Sequence, residues 1–293
     1  VLQVPAPRTG VLRCRGRDLV YGQRTLVMGI VNVTPDSFSG DGLATRVDAA
    51  IAQAKRMVDE GADLVDVGGE STRPTARPVG ESEEIERVIP VVSALQAALT
   101  VPISVDTRKP GVARAALAAG AHLINDVAGL QRDPEMAAVC ASYAAPVIVM
   151  HSPGESWEVA WPVRFGDVVG EVGRYLERSI EIAVRAGVAE DQIVVDPGFG
   201  FGKSNADNLI LLRRLGELRG LGRPVLLGTS RKQTIGKILG GLPAAERLEG
   251  SLATLALAVA QGVDIVRVHD VRPSWRVVQM ADAVVRGSAE EDR

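Results

Sequence analysis

Short aliphatic runs alternate with longer, alanine-rich amphipathic segments along nearly the whole chain. The runs are "TLVMGIV" (25–31), "DLVDVG" (63–68), "PISVD" (102–106), "HLIND" (122–126), "PVIVM" (146–150), "QIVVD" (192–196), "PVLLGTS" (224–230) and "DIVRV" (264–268). Their length and β-branched content predict strands. The segments between them, such as "RVDAAIAQAKRMVDEGA", "SEEIERVIPVVSALQAAL" and "RLEGSLATLALAVAQG", predict helices. Several helices run into "EGAD", "AGAH" or "QGVD", with glycine where a helix C-cap is expected. Continuously apolar strands are what a parallel sheet covered on both faces requires. Eight such units predict a closed (β/α)8 TIM barrel over 25–287, an α/β fold. A short N-terminal extension and hairpin at 1–24, in "VLRCRGRDLVYGQR", would precede it, and a polar tail at 288–293 would follow. The alternative, an open doubly wound sheet, would spread its strand ends along an edge instead of gathering them in a ring.

Composition narrows this picture in three ways. The chain has 293 residues, enough for one large barrel, and only 3% aromatics, so Val, Ala, Leu and Ile must fill the core. A net charge of −3 gives no general attraction to nucleic acid, so an anionic ligand would have to meet local positive charge. The two cysteines, Cys14 and Cys140, form neither a metal-spaced pair nor a disulfide framework, and Cys140 in "EMAAVCASY" is expected in the core. No apolar run is long enough for a membrane span, and the start "VLQVPAPRTG" is too polar for a signal peptide, which predicts a cytoplasmic protein.

A barrel of this kind carries its chemistry at the C-terminal ends of its strands. In chain order those ends read "NVTPDSFSGDG", "GGESTRP", "SVDT", "NDVAG", "MH", "DPGFGFGK", "GTSRK" and "RVHDV". The sixth, "DPGFGFGKS", resembles a phosphate loop but leaves three residues between Gly198 and Gly202 where a P-loop has four, and it lacks the G-x-G-x-x-G spacing of a dinucleotide site. It is one rim loop among eight. Each residue also has a plainer role to offer. Asp106 and Asp196 could cap helices, Asn125 could close a turn, Arg231 and Lys232 could be solvated charges, and His269 could be structural. All eight ends would have to be plain at once for the rim to be empty of chemistry. His122 enters its strand from the opposite end and is expected to be structural. Asp106, Asn125, Asp196 and Lys232 suit the edge of a flat heterocycle, since a carboxylate facing an amidine-like N–C–N–H edge makes a paired, charge-assisted contact. Asn32, Arg267 and His269 suit a diphosphate and a hard cation such as Mg2+.

Seven of these motifs, in this order, resemble dihydropteroate synthases: "NVTPDSFS", "GGESTRP", "SVDT", "IND", "DPGFGFGK", "GTSRK" and "RVHDV". The resemblance implies an enzyme that joins 6-hydroxymethyl-7,8-dihydropterin diphosphate to p-aminobenzoate, releasing diphosphate and giving 7,8-dihydropteroate for folate synthesis. It implies Mg2+ as cofactor, sulfonamides as inhibitors and a homodimer. By the same resemblance Asp106, Asn125, Asp196 and Lys232 form the pterin pocket with Met150 against the ring, and Asn32, Arg267 and His269 hold the diphosphate, Asn32 also meeting Mg2+. Asp106, Lys232, Arg267 and His269 would be catalytic. Phe38, Thr72, Arg73, Pro74, Phe201 and Lys232 would border p-aminobenzoate, on loops spanning 33–46 and 69–80 that close over the substrates. Lys203 is expected to have a structural or charge-pairing role. Three departures stand out: the first loop reads "SFSGDG" where many relatives have "SFSDGG", leaving the lid role open between Asp36 and Asp41; "SPGESWEVAWPVRF" follows "MH" in place of a methionine-containing loop; and Gln233 stands where a serine is usual. Two other readings remain: a corrinoid-dependent methyltransferase, which expels no diphosphate and would leave "STRP" and "RVH" without purpose, and a paralogue that binds pterin with little turnover.

Overall fold

The computed structural model describes residues 8–33, 43–71, 78–153 and 163–287. An antiparallel hairpin, β1 (Gly10–Leu12) and β2 (Leu19–Tyr21), precedes eight parallel strands: β3 (Leu26–Asn32), β4 (Leu64–Gly68), β5 (Ile103–Asp106), β6 (Leu123–Asp126), β7 (Val147–Met150), β8 (Ile193–Asp196), β9 (Leu226–Leu227) and β10 (Ile265–Val268). They lie in the order β8-β7-β6-β5-β4-β3-β10-β9. A parallel bridge between Val195 and Val225 then joins the two ends and closes the barrel. Among the described residues the α-helices are α1 (Leu43–Asp59), α2 (Glu81–Ala98), α3 (Pro110–Ala118), α4 (Glu135–Ser142), α5 (Val168–Arg185), α6 (Asn205–Arg213), α7 (Gln233–Ile238), α8 (Leu248–Ala260) and α9 (Val271–Arg286). The expected TIM barrel is what forms, and the open sheet is excluded by its closure.

Side chains alternate across each strand, so one strand feeds two cores. Val27, Val65, Val105, Val149 and Val266 point outward into the layer shared with the helices. Their neighbours Leu26, Leu64, Leu123, Ile148 and Ile265 point inward, where Leu12, Cys14 and Tyr21 of the hairpin region join them. The hairpin thus plugs the N-terminal mouth of the barrel. Further along, the inward face of β4, β5, β6, β8 and β10 turns polar, with Asp66, Ser104, Asp106, Asn125, Asp196 and Arg267. The apolar floor below and the helices around leave these groups one direction to work in: the C-terminal rim.

The helix-to-strand returns follow the glycine signals. Gly61, Gly120 and Gly262 have φ of 107°, 104° and 77°, the left-handed turn expected after a helix. Cys140 and Cys14 are both buried, and burial pushes each thiol up to about 12. His122 sits below the barrel as expected, where its Nδ1 accepts the Ile103 N–H at 3.1 Å.

Candidate active site

Strand register sets the polar ring. Asn32 lies beside Gly68, Gly68 beside Asp106, Asp106 beside Asn125, and Met150 beside Asp196. Gly68 leaves the space between its neighbours open: Asn32 Oδ1 and Asp106 Oδ2 each lie 3.9 Å from where a Cβ at this position would stand. Asp196, Asn125 and Met150 are all buried. Lys232 and His269 come from just beyond β9 and β10. Phe201, in the turn after β8, lies under the Lys232 ammonium, 3.8 Å from Nζ to the ring centroid. Phe38, Thr72, Arg73 and Pro74, with Asp36 and Asp41, lie outside the described residues.

Arg267 departs from the sequence expectation. It was grouped with His269 for the diphosphate, but its guanidinium is engaged inside the barrel, Nε donating to Asp66 Oδ2 at 2.6 Å and Nη2 to Asp106 Oδ2 at 2.8 Å. The cause is strand geometry: Arg267 is the inward residue of β10 two positions after Ile265, in register with Met28 of β3, and its side chain reaches across to Asp66 and Asp106. Asn125 Nδ2 donates to the same Asp66 oxygen at 3.0 Å. Asp66 was missed in the sequence. Its signal was available, since a carboxylate inside the apolar run "DLVDVG" shares the inward face with Leu64.

The plainer roles can now be sorted. Asp106 caps no helix, because α3 begins at Lys109 without a side-chain cap. Asp196 does serve its turn, its Oδ1 accepting the Gly198 N–H at 2.7 Å, which leaves Oδ2 for a ligand. Arg231 is no solvated charge but pairs through Nε and Nη2 with Asp270 at 3.0 and 2.6 Å. His269 meets Ser230, Nδ1 to Oγ at 3.0 Å, a contact that fixes its ring plane and was not foreseen.

The loop "DPGFGFGK" takes its shape from its glycines. Gly198, Gly200 and Gly202 have φ of 66°, 82° and 58°, and added Cβ atoms would crowd the His151 carbonyl, Lys232 and Pro153. They serve left-handed turns packed against protein. Lys203 is structural, as expected: its buried Nζ reaches the carbonyls of Gly198 and Phe201 at 2.8 and 3.0 Å and His151 Nδ1 at 2.8 Å.

Electrostatics poise this floor near neutrality. Burial, aided by Asp66 and Glu84, raises the Asp106 carboxyl to about 7 against the pull of Arg267 and Lys232. Burial also raises Asp196, with the Gly198 N–H and Lys232 opposing. Lys232 is brought down to about 7 by burial and Arg267, with Asp196 and Asp106 resisting. Burial and the nearby Arg267 lower His269 to about 3, so it stands as a neutral imidazole. Carboxylates and a lysine displaced toward each other in one cleft mark a functional site. Such a floor can hold a flat heterocycle by its donor edge and favour positive charge on it.

Known proteins agree with this chemistry. Residues 28–269 match the family model for pterin binding enzymes. Dihydropteroate synthase of Bacillus subtilis (strain 168) is 47% identical over 95% of this chain and 95% of its own length. The Xanthomonas albilineans dihydropteroate synthase solved with 4-aminobenzoic acid superposes with a TM-score of 0.88 at 47% identity, covering 94% of this chain and 98% of that one. The same enzyme solved in complex with 7,8-dihydropteroate gives 0.84 at 45% identity over 94% and 98%. With a closed barrel, a family match over most of the chain and identity at this level over nearly the full length, the chain belongs to the pterin binding enzymes and, among them, to the dihydropteroate synthases.

Proposed function

We propose that this dihydropteroate synthase binds 6-hydroxymethyl-7,8-dihydropterin diphosphate with the pterin ring on the barrel floor, its diphosphate toward Asn32 and His269, and p-aminobenzoate on the Phe201 side. The observation that carries the reading is the polar set on the inner face of the barrel: Asp66 and Asp106 on the Arg267 guanidinium, Asn125 on Asp66, and Asp196 buried with Asn125. Asp196 presents Oδ2 to the amidine-like edge, Asn125 adds a neutral donor and acceptor, and Met150 packs on the ring. The carboxylates Asp106 and Asp196 stabilise positive charge that develops on the pterin as its C–O bond to diphosphate breaks. The arylamine nitrogen then forms the C–N bond and gives up a proton. Lys232, brought down to about 7, is placed near Asp196 and Asp106 to hold or pass such a proton.

Among the described residues no cluster of three His, Cys, Asp or Glu could hold a metal. A single amide oxygen, Asn32 Oδ1, fits a cation that keeps much of its water and takes phosphate oxygens from substrate. Asn32 would hold Mg2+, which when bound would neutralise charge on the departing diphosphate. Sulfonamides, as arylamines shaped like p-aminobenzoate, would compete on the Phe201 side. A homodimer fits the apolar side chains that α8 and α9 leave exposed, Leu257, Met280 and Val284. Among the described residues no helix is long and apolar enough to cross a membrane. A cytoplasmic location fits a synthase acting on these polar small molecules.

The test is diphosphate release. It should be fast only with both substrates present, slow with either alone, and it should fall steeply in Asp196→Asn. The asparagine can still accept from Gly198 but offers an NH2 where the pterin edge needs an acceptor. Release that ignores p-aminobenzoate, or Asp196→Asn with unchanged pterin affinity, would refute the assignment.

A further inference from the structure

We infer that Asp66 is a positioning residue of the pterin site, the carboxylate that fixes both the Arg267 guanidinium and the Asn125 amide from beneath the floor. Asp66 is fully buried in the middle of β4. One oxygen, Oδ2, takes both hydrogen bonds, from Arg267 Nε at 2.6 Å and from Asn125 Nδ2 at 3.0 Å. These two donors come from β10 and β6, on either side of β4 in the barrel wall. Asp66 therefore ties together three strands at the level where the polar ring begins.

Stability alone does not account for this arrangement. Two carboxylates, Asp66 and Asp106, bond one guanidinium inside the barrel. Burying such a charged group costs free energy, and well-packed apolar side chains in its place would cost less. Asp66 Oδ1 finds no hydrogen-bond partner among the described residues, nor does Ser104 Oγ in register with it on β5. A carboxylate kept only to hold the barrel together would use both of its oxygens. What Asp66 secures is direction: Arg267 cannot rotate away from Asp106, and the Asn125 amide cannot flip, because its NH2 is held below. The Asn125 oxygen is then left for a ligand above. Function held at some cost to stability is the usual mark of a site residue.

The inference rests on the reading of Asp106, Asn125 and Arg267 as the pterin floor, and its test separates the two. Asp66→Asn keeps the shape but weakens the hold on Arg267. Asp66→Ser removes the carboxylate outright and serves as a second variant. Both should bind 6-hydroxymethyl-7,8-dihydropterin diphosphate roughly ten- to a hundred-fold more weakly, the scale of a lost charged hydrogen bond. kcat/KM for that substrate should fall in step. KM for p-aminobenzoate, measured at saturating pterin, should stay as in the parent, and the melting temperature of Asp66→Asn should be no lower. Asn125→Ala is titrated alongside. If Asn125→Ala weakens pterin binding while both Asp66 variants bind normally, the role given to Asp66 is wrong. A melting temperature that falls together with both KM values changing, or failure of both variants to fold, would make Asp66 a structural residue and overturn the proposal. Normal binding by Asn125→Ala would remove the floor reading itself and this inference with it.

Discussion

Lys203 sits in a phosphate-loop-like context but works as a structural lysine. In "GFGKS" it stands where a phosphate-binding lysine would, yet its ammonium nitrogen is buried among two carbonyls and an imidazole. Burial holds its pKa well below the ordinary lysine value, against the pull of Asp196. Lys203→Met keeps the length of the side chain and strands the carbonyls of Gly198 and Phe201. We expect a stability loss of about 2–4 kcal/mol, from two or more unmade buried hydrogen bonds. Affinity for inorganic diphosphate should change little. Thermal unfolding and a diphosphate titration of the same variant check this, and the reverse pattern would make Lys203 a phosphate ligand after all. Asp106, Asn125 and Asp196 were legible because each stands at the last or next-to-last position of a strand, where residue type and position coincide. Asp66 is legible in type, as a carboxylate inside an apolar run, but its partners Arg267 and Asn125 are not, and Ser230 acts only through His269. Nothing in one sequence pairs residues that meet only across the barrel.

At the scale of elements, the strands were legible nearly residue by residue, and their errors share a cause. β4, β5, β6, β7, β8 and β10 each begin one residue later than the apolar pattern suggests. The residue before the strand is already committed: Asp264, for example, accepts the Val225 N–H on its side chain at 2.8 Å and donates its own N–H to the Val225 carbonyl at 2.9 Å. β9 shrinks most, to Leu226–Leu227 from an expected span of 224–230. Beyond it the chain turns aside, with Thr229 bonded to Thr254 and Arg231 at a φ of 58°, to bring Ser230 and Lys232 over the rim. Chemistry overrides the strand pattern there. The hairpin was expected only as a lead-in, and its wider role is electrostatic. Arg15 donates through Nη1 to the carbonyls of Leu117 and Ala121 at the end of α3, and Arg17 to Gln96 and Val101 at the end of α2. Cations there meet the negative ends of two helix dipoles. Arg15→Ala should therefore lower stability by about 1–2 kcal/mol through lost charged hydrogen bonds and dipole contact. kcat/KM below the melting temperature should not move, since the site is at the other mouth. Denaturant titration and steady-state kinetics on one preparation decide it.

At the scale of the whole molecule, one barrel separates an apolar, plugged end from a polar, working end, and its response to acid reflects both. All three histidines of the chain are held neutral by burial, His122 at about 4, His151 at about 2 and His269 at about 3. A lowered histidine pKa gives stability that is full above the unfolded value near 6.5 and is lost as pH falls below it, by up to roughly 1.4 kcal/mol per pH unit for each. Asp106 and Asp126 work the other way. Burial raises them to about 7 and about 6, so the folded chain takes up protons that the unfolded chain, near 3.9, does not. Their contribution is present at low pH and lost as pH rises through the folded values. Between pH 7 and 5 proton uptake by the three histidines of the unfolded chain is thus opposed by uptake at Asp106, Asp126 and Lys232 in the folded one, and the parent protein should lose little stability. Asp126 lends itself to testing this, because it lies outside the pterin floor and holds the N–H groups of Ala128 and Leu130 at 2.8 and 2.7 Å. Asp126→Asn cannot take up the compensating proton. Whatever it loses at pH 7, its denaturation midpoint should fall more steeply than the parent's between pH 6 and 4.5, by up to roughly 1.4 kcal/mol for each unit of pH. Parallel curves for the two proteins across that range would show that Asp126 does not bind the proton and that the histidines are balanced from elsewhere.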